Sequence, residues 1–392
     1  MKCPLDGLLV LDFSQFLAGP VAALRLADLG ARVIKIERPG VGELGRKLYL
    51  SNVVSEGDST LFHSINRNKE SFAADLKQKS ELEKVRQLIR RADVMIQNFR
   101  PGVIDRIGLG YESVREINPR LVYGSITGYG PEGPWRQKPG QDLLAQAISG
   151  LPWLNGNIDD PPVPVGLAVA DLLAGFHLVQ GILACLVRRG ITGKGGIVEI
   201  SLLEAILDAQ FEVLTAYLNG GGLPQRGASC SAHAYLAAPY GLYPTADGYL
   251  ALSMTSVPQL GELLELPELA AYSDSHSCFE HRNKIRAAIA RCLRTSPTQH
   301  WLDILEPAGV WCAEVLTWNR LLQHEGFKVI NMIQDVFQPG GTRLRTTRCP
   351  IHVDGNVLTS VKGAPRVGQD TERICQEFGL VADEENTLES SG

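Results

Sequence analysis

The chain has 392 residues, of which 44% are hydrophobic and 21% charged, and its formal net charge is -5. The length suits two or three lobes and the composition is globular, which excludes general disorder. The acidic balance excludes an extended nucleic-acid or anionic-membrane surface, because holding many phosphates leaves a basic excess.

The first 130 residues alternate strand and helix signals. Leu8–Phe13 is a short apolar run suited to a buried parallel strand. Val21–Leu29 has helical spacing, and Arg32–Ile36 is a second strand stopped by Pro39-Gly40. Leu82, Val85, Leu88 and Ile89 form a helical stripe ahead of the strands Val94–Ile96 and Leu121–Ile126. Such alternation predicts a parallel sheet with right-handed crossovers, a doubly wound, Rossmann-like α/β domain. Two long helices are expected at Leu172–Val187 and about Leu202–Leu218, separated by the strand Ile197–Ser201.

After Asn219-Gly-Gly-Gly222 and Pro224 the pattern changes. The expected division is a large α/β domain over 1–220, a smaller α+β domain over 225–320, a return to the large domain over 321–380, and a disordered acidic tail over 381–392. The most apolar helical stretch, Val169–Val187, contains Asp171, His177 and Gln180 and runs into Arg188-Arg189, so it reads as a core helix with no membrane partner. The eight cysteines (3, 185, 230, 278, 292, 312, 349 and 375) include no CxxC, and no histidine cluster accompanies them. Met1-Lys2-Cys3-Pro4 leads directly into the first strand with no signal peptide, so free thiols in a reducing cytoplasm are expected and no metal site.

Gly128-Tyr-Gly130-Pro-Glu-Gly133 fits G-x-G-x-x-G, but two prolines remove the amides a pyrophosphate would need, which favours a turn. Glu37 ends the second strand, where an acid can bind a ribose hydroxyl, but the preceding turn, Ser14–Pro20, lacks the three glycines of that fingerprint. The fork of Arg38 suits a phosphate; a solvated charge pair is the alternative. Asn98, Phe99 and Arg100 follow a strand end, and with Asn66, Arg67, Asn68 and Lys69 they offer amides, a ring and cations to a ligand with several phosphates. Asp171, at the start of a long apolar helix, reads first as an N-cap. Its small, apolar neighbours allow a second role: a poorly hydrated carboxylate can attack an acyl carbon while nearby amides steady the oxyanion. His177 reads as a core or interface residue, His233 as a cleft candidate and Arg226 as a surface arginine. No G-x-S-x-G, HExxH or P-loop is present.

Taken in order, Leu11-Asp-Phe-Ser14, Ala18-Gly-Pro20, Leu29–Gly40, Asn98-Phe-Arg-Pro-Gly102, Ser125–Gly130, Ala170-Asp171-Leu172, Thr192-Gly-Lys-Gly195 and Ala364–Gln369 resemble the class III CoA-transferases, the CaiB/BaiF family. The resemblance runs from about Gly7 to Leu380. It implies that Asp171 is a nucleophile forming an aspartyl-CoA thioester. It also implies that CoA or acyl-CoA is a substrate, not a resident cofactor, and that a small carboxylic acid, plausibly dicarboxylic, accepts CoA. The family's CoA contacts fall on Arg38, Asn66, Arg67, Asn68, Lys69, Asn98, Phe99, Arg100, Arg106, Lys138 and Pro139, and its members are interlocked homodimers. Leu17 stands where formyl-CoA transferases carry glutamine, and Gln141 where racemases of the family carry histidine. Those two departures favour a transferase other than the formyl type over a racemase, with a non-catalytic CoA-binding protein as the third possibility.

Overall fold

The computed structural model describes Cys3–Val381, so beyond Val381 the expected acidic tail lies outside the described residues. The chain forms two compact units. One takes in 3–145, 168–206 and 330–381 of the described residues, the other 146–167 and 207–329. The second unit is therefore larger than the 225–320 expected from sequence and includes a stretch ahead of the long central helix.

The first unit follows the predicted alternation: β1 (Leu9–Asp12), α1 (Ala18–Asp28), β2 (Arg32–Glu37), α2 (Thr60–Asn66), β3 (Glu70–Ala73), α3 (Lys79–Arg91), β4 (Val94–Gln97), α4 (Val103–Ile107), α5 (Tyr111–Ile117), β5 (Val122–Thr127), α6 (Asp142–Ser149), α7 (Val169–Thr192) and β6 (Gly196–Ser201). The six strands form one parallel sheet in the order β3-β2-β1-β4-β5-β6, with Val10 of β1 opposite both Val33 and Val94. This is the doubly wound order, which reverses direction between β1 and β4 and so opens a crevice at the carboxyl ends of those two strands.

Strand side chains alternate between two faces. Leu9, Leu11, Ile34, Ile36, Phe72, Met95 and Tyr123 join Val85, Leu88 and Ile89 of α3, Val114 of α5 and Ile374 of the helix Thr371–Phe378 in one core. On the other face α7 lies so close to β5 that a methyl on Gly124 would sit 3.1 Å from Ile182 and 3.3 Å from Leu178. By length and composition α7 could cross a membrane. Here Ala174, Leu178 and Ile182 bury one of its faces.

The segment 364–372 closes the free side of β3. Ser71 N–H donates to Asp370 Oδ2 (3.0 Å), Asp370 N–H to Ser71 O (3.0 Å) and Ala73 N–H to Thr371 Oγ1 (2.8 Å). The helix that follows is tied to β2 and β3 by Arg32, which pairs with both Glu70 and Glu377.

The second unit is built on an antiparallel sheet of β7 (Gly241–Pro244), β8 (Tyr249–Leu252) and β9 (Cys312–Glu314). Tyr243, Leu250, Leu252, Ile285, Ile289, Leu293 and Trp301 fill its core. The single helix expected at Leu202–Leu218 is two pieces, α8 (Leu202–Asp208) and α9 (Phe211–Ala216), followed by an irregular turn to Gly221. All eight cysteines are free thiols.

Candidate active site

The crevice between β1 and β4 has a fixed rim. Gln15 N–H donates to Asn98 Oδ1 (2.8 Å), and Asn98 Nδ2 donates back to Gln15 O (2.7 Å), so the loops after the two strands are locked together. Next to this pair Phe16 is 46% exposed and has φ +65, a left-handed conformation rare for a bulky residue. Its N–H is held by Glu43 Oε2 (3.0 Å). Lys35 Nζ holds the carbonyl two residues earlier, Ser14 O, at 2.8 Å.

Beneath the rim lies a buried ionic network. Asp12 accepts Lys69 Nζ at 2.8 Å and lies 3.5 Å from Lys35 Nζ. Burial opposes ionisation of Asp12, but the two ammonium groups outweigh it and hold its carboxyl well below the usual range. Burial lowers Lys69 to about 8. Glu37 is also interior: Arg46 Nη2 reaches its Oε1 at 2.7 Å, and Ser71 Oγ donates to that oxygen at 2.8 Å. It is neither a ribose ligand nor half of a solvated pair.

Part of the expected CoA-binding set takes part in this interior bonding. Lys69 also donates to Pro20 O (2.9 Å) and Asn66 Oδ1 (2.8 Å), Asn66 donates to Phe62 O (3.1 Å), and Arg67 grips Asp28 with both terminal nitrogens (2.5 and 3.0 Å). All three side chains are buried and bonded inside the fold, while Arg67 Nε has no hydrogen-bond partner. Asn68 is half-buried and donates to Ala27 O (3.1 Å). Phe99 packs against the sheet core. Pro139 O accepts Tyr129 Oη (3.2 Å). In contrast, the side chains of Arg38, Arg100 and Arg106 are exposed and meet no acid among the described residues, and Lys138 stands 5.8 Å above the Trp135 ring.

Asp171 is half-buried in the first turn of α7, but it is not the cap. The N-cap position is Ala168, which has no side chain able to accept. Asp142, at the start of α6, supplies the missing acceptor: its Oδ1 takes the N–H of Ala170 at 2.7 Å and of Asp171 at 3.2 Å. These two amides are therefore already occupied. Burial, and next the Asp142 charge, push Asp171 up to about 7. One turn further on, α7 crosses α1 at Gly175, where a methyl would lie 2.7 Å from Ala18 O. Ala18 is the first residue of α1 and follows the Gln15–Leu17 rim directly, so the carboxylate and the crevice are neighbours.

Other candidates have structural partners. Arg226 donates to the carbonyls of Asn155 (2.8 Å), Pro161 (3.0 Å) and Asp160 and is buried, not a surface arginine. His233 Nδ1 accepts Tyr235 N–H at 3.1 Å, and its Nε2 lies 3.4 Å from Glu212. The G-x-G-x-x-G stretch contains no helix.

A doubly wound sheet with a switch-point crevice, a raised carboxylate beside it and unpaired cations at strand ends defines a ligand-binding α/β enzyme. The particular family is given by comparison: residues 5–371 match CoA-transferase family III, and the chain belongs to that family, as an enzyme that transfers CoA between carboxylic acids. It is 32% identical over 380 residues to the mouse succinyl-CoA:glutarate CoA-transferase, a match covering 95% of this chain and 86% of that protein. It is 36% identical over 317 residues to the acetyl-CoA:oxalate CoA-transferase of Acetobacter aceti, covering 79% and 80%. A crystal structure of a CaiB/BaiF family protein from Brucella suis superposes with a TM-score of 0.83 at 32% identity, covering 96% of this chain and all of that one.

Proposed function

We propose that the protein moves CoA from an acyl-CoA to a small dicarboxylic acid through a covalent intermediate on Asp171. The supporting observation is the state of that carboxylate: half-buried, raised to about 7, and held on the turn of α7 that adjoins the switch-point crevice. A poorly hydrated carboxylate is a better nucleophile than a solvated one, and covalent catalysis divides one difficult exchange into easier steps.

In this reading one Asp171 oxygen attacks the donor thioester carbon, forming a mixed anhydride and expelling the CoA thiolate. The thiolate then attacks the Asp171 carbonyl, giving aspartyl-CoA and freeing the donor acid. The acceptor carboxylate attacks in turn, forming a second anhydride, and the thiolate attacks its acyl carbon to release the new acyl-CoA and restore Asp171. Asp142 acts through Asp171, by fixing the first turn of α7 and raising its neighbour's proton affinity. No cofactor beyond CoA enters.

The acid class rests on the relatives, whose names include succinate, glutarate, oxalate and mesaconate, all dicarboxylates. The active form is a homodimer, interlocked as in the resembling family. Val187 (68% exposed) and Ile191 (84%) leave an apolar face of α7 for a second copy to cover. Eight free thiols fit a reducing cytoplasm.

The test is to incubate the protein with succinyl-CoA and glutarate, trap with hydroxylamine and map the modified peptide by mass spectrometry. Modification at Asp171 together with glutaryl-CoA formation is expected. Deuterium exchange at the acyl α-carbon without any Asp171 adduct would overturn the transferase mechanism in favour of isomerisation.

A further inference from the structure

One ammonium group closes the rim loop from inside the fold. Lys69 Nζ donates to Asp12 Oδ2 (2.8 Å) at the end of β1 and to Pro20 O (2.9 Å) in the first turn of α1. The two ends of the stretch that carries Gln15, Phe16 and Leu17 therefore meet on a single nitrogen. Its third bond goes to Asn66 Oδ1 (2.8 Å) in α2. An ammonium has three N–H donors and no acceptor, and all three are used here. The group is fully buried, so bulk water offers no substitute.

Both ends of this clasp bear on the crevice. Pro20 lies two residues after Ala18, whose carbonyl limits the approach of α7 at Gly175, one turn beyond Asp171. Asp12 lies two residues before Ser14, whose N–H its Oδ1 accepts at 2.9 Å and whose carbonyl Lys35 holds.

We infer that Lys69 is a positioning residue for CoA transfer: its charged form clasps the two ends of the rim loop, and loss of its proton slackens the clasp. The inference rests on the reading of this protein as a CoA-transferase. A neutral amine keeps two N–H groups and turns a lone pair toward the third oxygen. The charged Asp12 is the strongest acceptor and retains its donor, so Pro20 O and Asn66 Oδ1 compete for the other.

Burial opposes the proton most, Asp12 of β1 and Glu43 beyond β2 favour it, and Lys35 of β2 opposes it; the balance falls at about 8. That is below the ordinary lysine value, so between the two the unfolded chain holds a proton that the native state has released. Stability therefore rises with pH across that interval. The fold becomes firmer while the clasp slackens, which separates this effect from alkaline unfolding.

The experiment measures kcat and KM with succinyl-CoA and glutarate, urea midpoints, and hydrogen exchange of the peptide 12–24. It compares the parent with Lys69→Arg and with the paired variant Asp12→Asn/Lys69→Met, from about pH 6 to about pH 10. In the parent kcat should fall about 10-fold through a midpoint near 8 while the urea midpoint rises. Lys69→Arg stays charged throughout and should lose that fall even if its rate is lower. The paired variant removes a buried charge together with its counter-charge, which spares the fold a stranded ion. Its kcat should be about 10-fold down and flat above pH 8, and its rim peptide should exchange about 10-fold faster at pH 7. An alkaline fall that persists in both variants, or rim exchange in the paired variant equal to the parent's, overturns the proposal and leaves the transferase reading intact. A parent urea midpoint that falls together with kcat assigns the loss to unfolding and likewise overturns it. A parent that transfers no CoA at any pH overturns the transferase reading, and the proposal with it.

Discussion

Asp142 Oδ1 is shared by two successive amides, those of Ala170 and Asp171, so the carboxylate that anchors α7 also places its charge beside the proposed nucleophile. The hydrogen bonds stabilise the helix start, and the charge opposes ionisation of Asp171. The residue that anchors the helix start thus adds to the burial that already raises the proton affinity of Asp171.

Because the ionised form attacks, kcat should rise with pH through a midpoint near 7, where burial and Asp142 have moved Asp171. Asp142→Asn keeps an oxygen for the two amides but removes the like charge, so the midpoint should move to lower pH. A pH profile of kcat for the two proteins checks this. A midpoint that stays in place would mean that Asp142 matters only as a cap.

The same shift has a stability consequence of definite sign. The folded value, about 7, exceeds the ordinary 3.8, so between those values the native state holds a proton that the unfolded chain does not. Stability from this group is complete below about pH 4 and is lost as pH rises through the folded value. Asp171→Asn suffers no such loss. At pH 8 it should be more stable than the parent by about 2 kcal/mol, allowing for solvent at a half-buried site, with the advantage gone at pH 4. Urea midpoints at the two pH values measure the difference, and transfer activity should be abolished at both.

Gly175→Ala tests the crossing of α1 and α7. The new methyl would meet the backbone oxygen of Ala18 at 2.7 Å, so the helices must separate. A shift of this kind displaces Asp171, one turn away, and misplacement of about 1 Å at a reacting group can cost about 100-fold. We expect folded protein, by circular dichroism, with kcat reduced at least 10-fold relative to the parent protein. Unchanged kcat would show that the crossing has no bearing on the site.

The left-handed backbone of Phe16 depends on Glu43, whose Oε2 also accepts Gly45 N–H at 2.9 Å. Such conformations cost about 1–3 kcal/mol and persist only where surroundings hold them. Glu43→Ala should let the rim relax and raise KM for acyl-CoA several-fold. Adding Phe16→Gly, which adopts that conformation freely, should bring KM part of the way back. Steady-state kinetics on the single and double variants decide this, and no recovery in the double variant would remove the backbone explanation.

Much of the first unit was legible because parallel strands buried on both faces read as unbroken apolar runs, and β1, β2 and β4 follow theirs closely. Asp171 stood out for the same reason, as an acid opening an apolar helix. Asp142 did not, since it lies 29 residues upstream and its role is a tertiary contact. One signal was available: Ala168 cannot cap a helix, so the acceptor had to come from elsewhere. That Arg67 and Lys69 are bonded inside the fold was hidden for a physical reason. Motif and residue type do not reveal direction, but Asp12 inside an apolar strand and Asp28 at the end of an apolar helix each required an interior cation.

The closure of β3 by residues 364–372 gives the chain a timetable. During synthesis almost 300 residues emerge between Ser71 and its partner Asp370, and for that interval the sheet has an open flank able to pair with any other strand. Long-range pairing of this kind is slow, so the nascent protein passes through a stage at which collision with a neighbour competes with completion. A ribosome that stalls before Asp370 therefore releases a product that is adhesive as well as short.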